Sequence, residues 1–320
     1  MKITVVLFNA LIAFAACSSH AAATDTLKIV AGGHGNWDSS PAELGQKAGI
    51  FNKHGINLEI VYSAGSGETL QTVISGSADV GIAIGTGSAM AAYLKGAPVR
   101  IIGAVTTGAA DVYWYVPNDS HLKTLKDANA NTTIAYSSSG SSTYVLAQEI
   151  LKLYGIQARL AGTGGPQATL TQVESGQIDI GYATAPFGLQ QVADGKIRII
   201  ARAAEVPGAN TETVRVLVAN ANKLASSRDV IKRFINAYAE TVEWMYSSPN
   251  AVQLYSQYSK IPMAIAKQGM SEFYTKEMLN PYRISNLDQV MADSIKMKIL
   301  KTALTRDQLR GLVQVPKPQN

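Results

Sequence analysis

Cysteine is all but missing: Cys17 is the only one in 320 residues. It lies in a segment with the marks of an export leader: Lys2, an apolar run from Ile3 to Ala16, then Ala21-Ala22-Ala23. That run is too short to span a bilayer, and no later run reaches the ~18 apolar residues of a membrane helix. Residues 1–23 are therefore expected to be a signal peptide that delivers the chain to the periplasm. Phe14-Ala15-Ala16-Cys17 is an imperfect lipid-attachment signal, so a lipid anchor at Cys17 is the lesser alternative. Cleavage after Ala23 would leave no cysteine. Such a chain must be held by packing alone, and thiol catalysis and Cys-ligated metals are excluded.

Histidine is nearly as scarce. Beyond the leader only His34, His54 and His121 occur, none at a metal-ligand spacing. H-E-x-x-H, G-x-S-x-G and the phosphate-binding G-x-x-x-x-G-K-[ST] are all absent. Gly65-Ser66-Gly67 and Gly85-Thr86-Gly87 lack the later glycine of a dinucleotide fingerprint. No catalytic residue, cofactor or metal is expected. Charged residues make up 16% of the chain. The net charge is +5, or +4 without Lys2, and it is dispersed. A solvated surface with a bias toward anions follows, and nucleic-acid binding does not.

Apolar residues and glycine are plentiful, at 47% hydrophobic with 27 glycines. Strand and helix signals alternate. Strands are expected over 27–31, 57–62, 80–84 and 99–105, with helices over 42–48, 68–74 and 88–94 between them. The alternation restarts with strands over 132–136, 157–161, 178–183 and 197–201 and helices over 142–154, 168–174 and 187–193. After a β-type run over 213–219, only helices follow: 228–246, 251–259, 263–270, 287–298 and 306–312. Two mostly parallel α/β units are implied, with the helical remainder folding back onto the first.

The two units echo each other. Gly55, Ile56, Gly65, Thr69, Leu70, Val73, Ser75, Gly76, Asp79, Gly81 and Ala83 recur one hundred residues later without a gap. These eleven identities compare with roughly two expected by chance at ordinary residue frequencies. Asp79 and Asp179 follow Ser-Gly in both copies, where their carboxylates are expected to accept backbone N–H bonds in the turn. The fold class is thus α/β, with two doubly wound lobes, a hinge and a cleft. Lobe 1 is expected over 24–110 plus 215–320, lobe 2 over 111–214, with crossings near 106–116 and 203–218.

In such sheets ligands sit beyond the carboxyl ends of the strands. Those ends read 32–40, 64–67 and 85–88 in the first lobe, and 137–143, 162–166 and 184–187 in the second. The densest is Ser137-Ser138-Ser139-Gly140-Ser141-Ser142-Thr143. It joins hydroxyls and free N–H groups to a helix N-terminus, an anion site that needs no lysine. One hydroxyl would suffice to cap the helix. His34 is expected to donate to the anion and Trp37 to form a flat apolar wall; the plainer alternatives are a surface histidine and a Trp packed under its loop. Tyr113-Trp114-Tyr115 reads as core or hinge packing. The ligand-binding candidates are therefore His34, Trp37, Gly67, Gly85 and Thr86 from one lobe, and Ser138, Ser139, Gly140, Ser141, Ser142 and Thr184 from the other.

Three segments resemble a known family: Ala42 through Ile56, Ser75 through Ala83 with Lys95-Gly96-Ala97-Pro98-Val99, and Ser139 through Tyr144 with the second Ser-Gly-x-x-Asp unit. They are similar to periplasmic solute-binding proteins of the sulfonate/taurine/nitrate type, which are also likened to thiamine-precursor synthesis proteins. The resemblance implies a type II periplasmic binding protein whose C-terminal helices pack on lobe 1. It would be a monomer and not an enzyme, presenting a small organic anion, a sulfonate or carboxylate, to the membrane permease of an ABC importer. Many members carry a Trp near position 184; Thr184 here leaves more room, so a bulkier anion, an aromatic one stacking on Trp37 included, fits as well. The alternatives are a pyrimidine-precursor-synthesis-like enzyme and a ligand-sensing lobe protein. Ligand identity is expected where the copies diverge, at Ile84-Gly85-Thr86-Gly87 against Thr184-Ala185-Pro186-Phe187, facing each other across the cleft.

Overall fold

The computed structural model describes residues 24–318, so the expected leader lies outside the described residues. The first lobe opens with β1 (Asp25–Gly32), α1 (Pro41–Lys47), α2 (Ile50–Lys53), β2 (Ile56–Ser63), α3 (Ser66–Ile74), β3 (Val80–Gly85), α4 (Thr86–Leu94) and β4 (Val99–Thr107). The chain crosses to β5 (Val112–Pro117), β6 (Thr133–Tyr136), α5 (Ser142–Tyr154), β7 (Arg159–Gly162), α6 (Pro166–Glu174), β8 (Gly181–Thr184), α7 (Leu189–Ala193) and β9 (Ile197–Arg202). It returns through β10 (Thr213–Asn220) to α8 (Ala221–Ser226), α9 (Arg228–Ser247), α10 (Pro249–Ser259), α11 (Met263–Phe273), α12 (Leu287–Lys296) and α13 (Arg306–Leu312).

The first sheet runs β2-β1-β3-β10-β4. β1 is parallel to β2, from Asp25 opposite Ile56 to Gly32 opposite Ser63, and parallel to β3. β10 is antiparallel to both of its neighbours. The second lobe repeats that order. β6 is parallel to β7, and Ile134 bridges Ile180 just ahead of β8. β5 then lies antiparallel between β8 and β9. Each sheet is thus parallel except for one strand, and that strand is the one arriving from the other lobe. A strand that enters from a neighbouring unit reaches its slot without a helical crossover, so it can pair antiparallel.

The echo has a backbone cause. Gly55 and Gly155 both sit at φ 67°, and Gly76 and Gly176 at 76° and 74°. This left-handed region favours glycine, and it closes the helix–strand turns of both lobes. Thr69 donates to Gly65 O at 3.0 Å and lies 2.6 Å from the Ser63 hydroxyl. Thr169 repeats both distances with Gly165 and Thr163. Asp79 accepts from Lys28 N at 2.9 Å and Asp179 from Thr133 N at 2.7 Å. Both carboxylates therefore act as structural acceptors, serving a neighbouring strand rather than their own turn.

The C-terminal helices pack largely on the first lobe. α9 lies against α1, α2 and β2, α12 against α4, and α13 against β4. α11 instead reaches α7 of the second lobe. The alternating residues of β5 are all enclosed: Tyr113, Trp114 and Tyr115 are each 0% exposed. Burial of such rings contributes roughly 1.5–3 kcal/mol apiece, which makes the crossing strand part of the core. Among the described residues no helix is long and apolar enough to cross a membrane.

Candidate functional site

The loop after β1 is pinned from beneath. Trp37 is fully buried, its indole N–H 3.1 Å from Tyr246 Oη, with Tyr255 edge-on at 4.7 Å between centroids. Ser40 donates to Asn36 O at 2.5 Å, tightening the turn. Asp38 is thereby held inward, 1% exposed. Its Oδ2 lies 3.3 Å from an Arg215 guanidinium nitrogen and 3.5 Å from the Thr106 hydroxyl. Its Oδ1 has no hydrogen-bond partner in the protein.

Arg215 projects from β10 and is 5% exposed. One terminal nitrogen lies 2.6 Å from both oxygens of Asp111, in the first crossing segment. Its Nε has no partner. Burial works against the Arg215 charge, but the Asp111 and Asp38 carboxylates outweigh it and hold the pKa up. Burial likewise pushes the Asp38 carboxyl up, against the pull of Arg215. Three ionisable groups are thus withdrawn from water, an arrangement whose desolvation cost is offset only by close pairing.

The second lobe answers with a helix N-terminus. Ser141 caps α5, its hydroxyl accepting from Tyr144 N at 3.2 Å. Thr143 Oγ1 accepts from Ser137 N at 2.9 Å and folds the serine loop over the helix start. The N–H groups of Ser142 and Thr143 stand in the first turn, where no intrahelical carbonyl precedes them. The Thr184 hydroxyl, at the end of β8, is buried and unpartnered.

These groups line one cavity of about 50 Å³ between the lobes, with Asn36, Asp38 and Arg215 on one side and Ser141, Ser142 and Thr184 on the other. The lobes are shut around it. The Ser88 hydroxyl donates to Gly140 O at 2.7 Å, Lys296 pairs with Glu149 at 2.5 Å, and Arg202 pairs with Glu272 at 2.8 Å. Glycines set the approach. A Cβ on Gly165 would stand 2.9 Å from Ala64 O, and one on Gly85 3.2 Å from Ser142 N.

Of the expected residues, the structure brings Ser141, Ser142 and Thr184 to the cavity. Gly67, Ser139 and Gly140 line an open groove of about 460 Å³ beside it. The Ser138 hydroxyl is buried against Gly67, outside the cavity. Gly85 forms the lobe contact instead of facing Thr184, so the two divergent strand ends do not meet directly. Thr86 is turned away, donating to Thr213 O at 2.5 Å. Two expectations are corrected outright. Trp37 cannot wall a ligand because its ring is enclosed by Tyr246 and Tyr255. His34 is exposed and stacks with Tyr62 and Tyr258, with ring centroids at 4.8 and 4.5 Å, outside the cavity lining. Desolvation lowers its pKa, which disfavours the imidazolium form.

Asp38 and Arg215 were not among the expected residues. Arg215 alternates with Val214, Val216 and Val218, a pattern that reads as a half-buried strand with its charge in water. The pairing that buries it comes from Asp111, over one hundred residues away in sequence.

Two α/β lobes joined by two crossings and shut over a polar cavity have the architecture of a periplasmic solute-binding protein. Residues 36–252 match the model of the family described as NMT1/THI5 like, and the chain belongs to that family. Solved structures share the fold. The alkanesulfonate-binding protein SsuA from Xanthomonas axonopodis pv. citri, bound to MOPS, matches with TM-score 0.74 at 17% identity, over 92% of this chain and 100% of that one. The periplasmic nitrate-binding protein NrtA from Synechocystis PCC 6803 matches with TM-score 0.72 at 14% identity, over 91% and 86%. The desulfurization enzyme DSZB matches with TM-score 0.65 at 16% identity, over 89% and 96%. Binding proteins and an enzyme therefore share this architecture. No curated protein sequence matches the chain.

Proposed function

We propose that this protein is the substrate-binding component of an ABC importer, which captures a small organic solute with an anionic group, such as a sulfonate or carboxylate, between its lobes. The observation that carries the reading is the closed inter-lobe cavity, with the first turn of α5 on one wall and unpartnered polar atoms on the other. Helix N–H groups at a positive dipole end suit an oxyanion. The sulfonate- and nitrate-binding proteins of the same fold support the same class of solute. On this reading residues 24–110 with 215–320 move as one body against 111–214, the closed monomer is recognised by a membrane permease, and the protein works in the periplasm. The reading is one of binding without chemistry. Among the described residues lining the cavity none is His, Cys or Lys, so an enzymatic alternative would have to draw on its Asp, Ser, Thr and Tyr side chains.

Thermal unfolding in the presence of sulfonates, carboxylates, nitrate and pyrimidines tests it. A bound solute raises the melting temperature by mass action, worth about 2.7 kcal/mol at one hundred times Kd. A panel that produces no shift, together with a native mass spectrum showing no co-purified solute, would overturn the reading.

A further inference from the structure

A second space between the lobes, of about 40 Å³, shares Ser142 with the first. Its walls are largely apolar: Val145 and Leu146 on α5 of the second lobe, Val214 and Val290 on the first. Glu212 lines it too, 9% exposed, where the returning crossing meets β10. Among the described residues Glu212 has no ion-pair partner.

The charges around Glu212 do not suit a carboxylate. On α12, Asp293 lines the same space and accepts from the Gln289 amide at 3.0 Å. On α5, Glu149 is paired across the seam with Lys296 of α12 at 2.5 Å. Lys152 stands beside Lys296 on the exposed rim. α4 contributes the uncharged Thr86 and Gly87, and the crossing turn 206–211 carries no charge. Arg283 is exposed and meets the start of β10 through its carbonyl, 3.4 Å from Thr213 Oγ1. Three carboxyls therefore converge on one seam, and Lys296 is engaged by Glu149.

Burial, then Asp293 and Glu149, raise the Glu212 carboxyl to about 7. Part of that burial, and the Glu149 charge, come from α5, which travels with the second lobe. When the lobes part, water replaces Val145 and Leu146 at Glu212, and Glu149 withdraws. Both changes favour the ionised form. The closed state thus holds a proton that the open state gives up.

We propose that Glu212 is a proton latch: the lobes close onto its neutral carboxyl, and its ionisation drives them apart. This latch rests on the solute-capture reading, in which the lobes open and close about the crossings. It makes closure favourable at low pH, and the benefit is lost as pH rises through about 7. Capture then tightens on acidification, whatever the solute.

The test needs no solute. Spin labels are attached through Glu59→Cys on β2 and Gln167→Cys on α6, two exposed positions on opposite lobes. Residues 24–320 hold no cysteine of their own to compete. Distance distributions between pH 5.5 and 8 then count closed against open molecules. The closed-to-open ratio should rise about 5- to 50-fold from pH 8 to 5.5, since each pKa unit owed to the second lobe is worth tenfold. Glu212→Gln, whose amide stands in for the neutral carboxyl, should hold the ratio near its low-pH value throughout. If that variant does not fold, Glu149→Gln decides: with the second-lobe charge gone, the response should shrink by about twofold or more. A ratio that ignores pH overturns the latch, as does a response that survives these substitutions at full size. Either failure leaves solute capture standing, which the thermal panel tests separately. A panel without a bound solute, in turn, leaves the pH response to stand or fall by itself.

Discussion

The two lobes share a scaffold and present unlike walls to the cavity between them. Thr69 and Thr169 make the same pair of bonds, Asp79 and Asp179 hold the neighbouring strand, and the strand orders coincide. Yet the first lobe brings a buried ion cluster to the cleft and the second brings hydroxyls and a helix end. The difference lies outside the echoed positions. Asp38 is on the loop after β1, Arg215 on the returning strand and Asp111 on the outgoing crossing. A duplicated framework can therefore carry two unlike walls, because the bonds that define it use none of the side chains that line the cavity.

The comparison breaks first at Arg215. Arg215→Ala should destabilise the protein by about 3–5 kcal/mol, because it leaves Asp38 and Asp111 buried without their cation; denaturant unfolding would read it. No single truncation in the second lobe's cavity wall, where the lining residues carry no charge, should approach that effect. A loss under about 1 kcal/mol would mean that the cluster is not a structural centre of the first lobe.

The second-lobe wall is probed by Ser142→Ala and Ser141→Ala. Ser142→Ala should cost about 1.5–3 kcal/mol of affinity if its hydroxyl meets a charged group of the solute, with little change in unfolding. Ser141→Ala should lower affinity and also stability, the latter by about 1 kcal/mol, because its hydroxyl caps α5. Unchanged titration curves for both would remove the anion-binding role of this wall.

Closure separates an echoed pair. A methyl on Gly165 meets the Ala64 carbonyl, whereas one on Gly65 meets the Ser137 hydroxyl at 2.5 Å. The hydroxyl can rotate away; the carbonyl cannot. Gly165→Ala should therefore weaken binding by about 1–3 kcal/mol and enlarge the radius of gyration of the ligand-saturated protein. Gly65→Ala should do much less. Equal effects would show that the lobes approach symmetrically.

The scaffold itself should be symmetric. Thr69→Val and Thr169→Val should each lose about 0.5–1.5 kcal/mol and agree within about 0.5 kcal/mol. The crossings offer a still smaller signal. Glu212, whose carbonyl accepts from Gly108 N at 2.8 Å, links the two crossings. Burial, then Asp293 and Glu149, push its carboxyl up to about 7. The folded protein thus keeps this proton after the unfolded chain has lost it. The contribution is favourable at low pH and is lost as pH rises through about 7. Glu212→Gln should flatten that decline in melting temperature between about pH 4.5 and 7.5, and a parallel decline in both proteins would refute the assignment.

Much of this was legible in the chain. The α/β alternation, the hundred-residue echo and the strand-end loops come from local rules: periodicity, left-handed glycines and helix starts. α5 begins and ends where its sequence says, at Ser142 and Tyr154. The short helices α2 and α8 were not legible, since four and six residues give periodicity too little length to register. Trp37 and His34 misled because a Gly-rich loop at a strand end does not say which of its side chains turns inward. There the Tyr246 and Tyr255 rings decided, and both come from helices over two hundred residues away in sequence.

By itself, then, the sequence determined the elements, their duplication and the hydroxyl-rich wall of the cleft, because each depends on residues close together along the chain. Tertiary structure alone decided that Asp38, Asp111 and Arg215 form one buried cluster, and that the cluster faces Thr184 and the start of α5. A charge on a strand is ordinarily left in water. Only the return of β10 between β3 and β4, beside the first crossing, places two carboxylates close enough to make burying Arg215 tolerable.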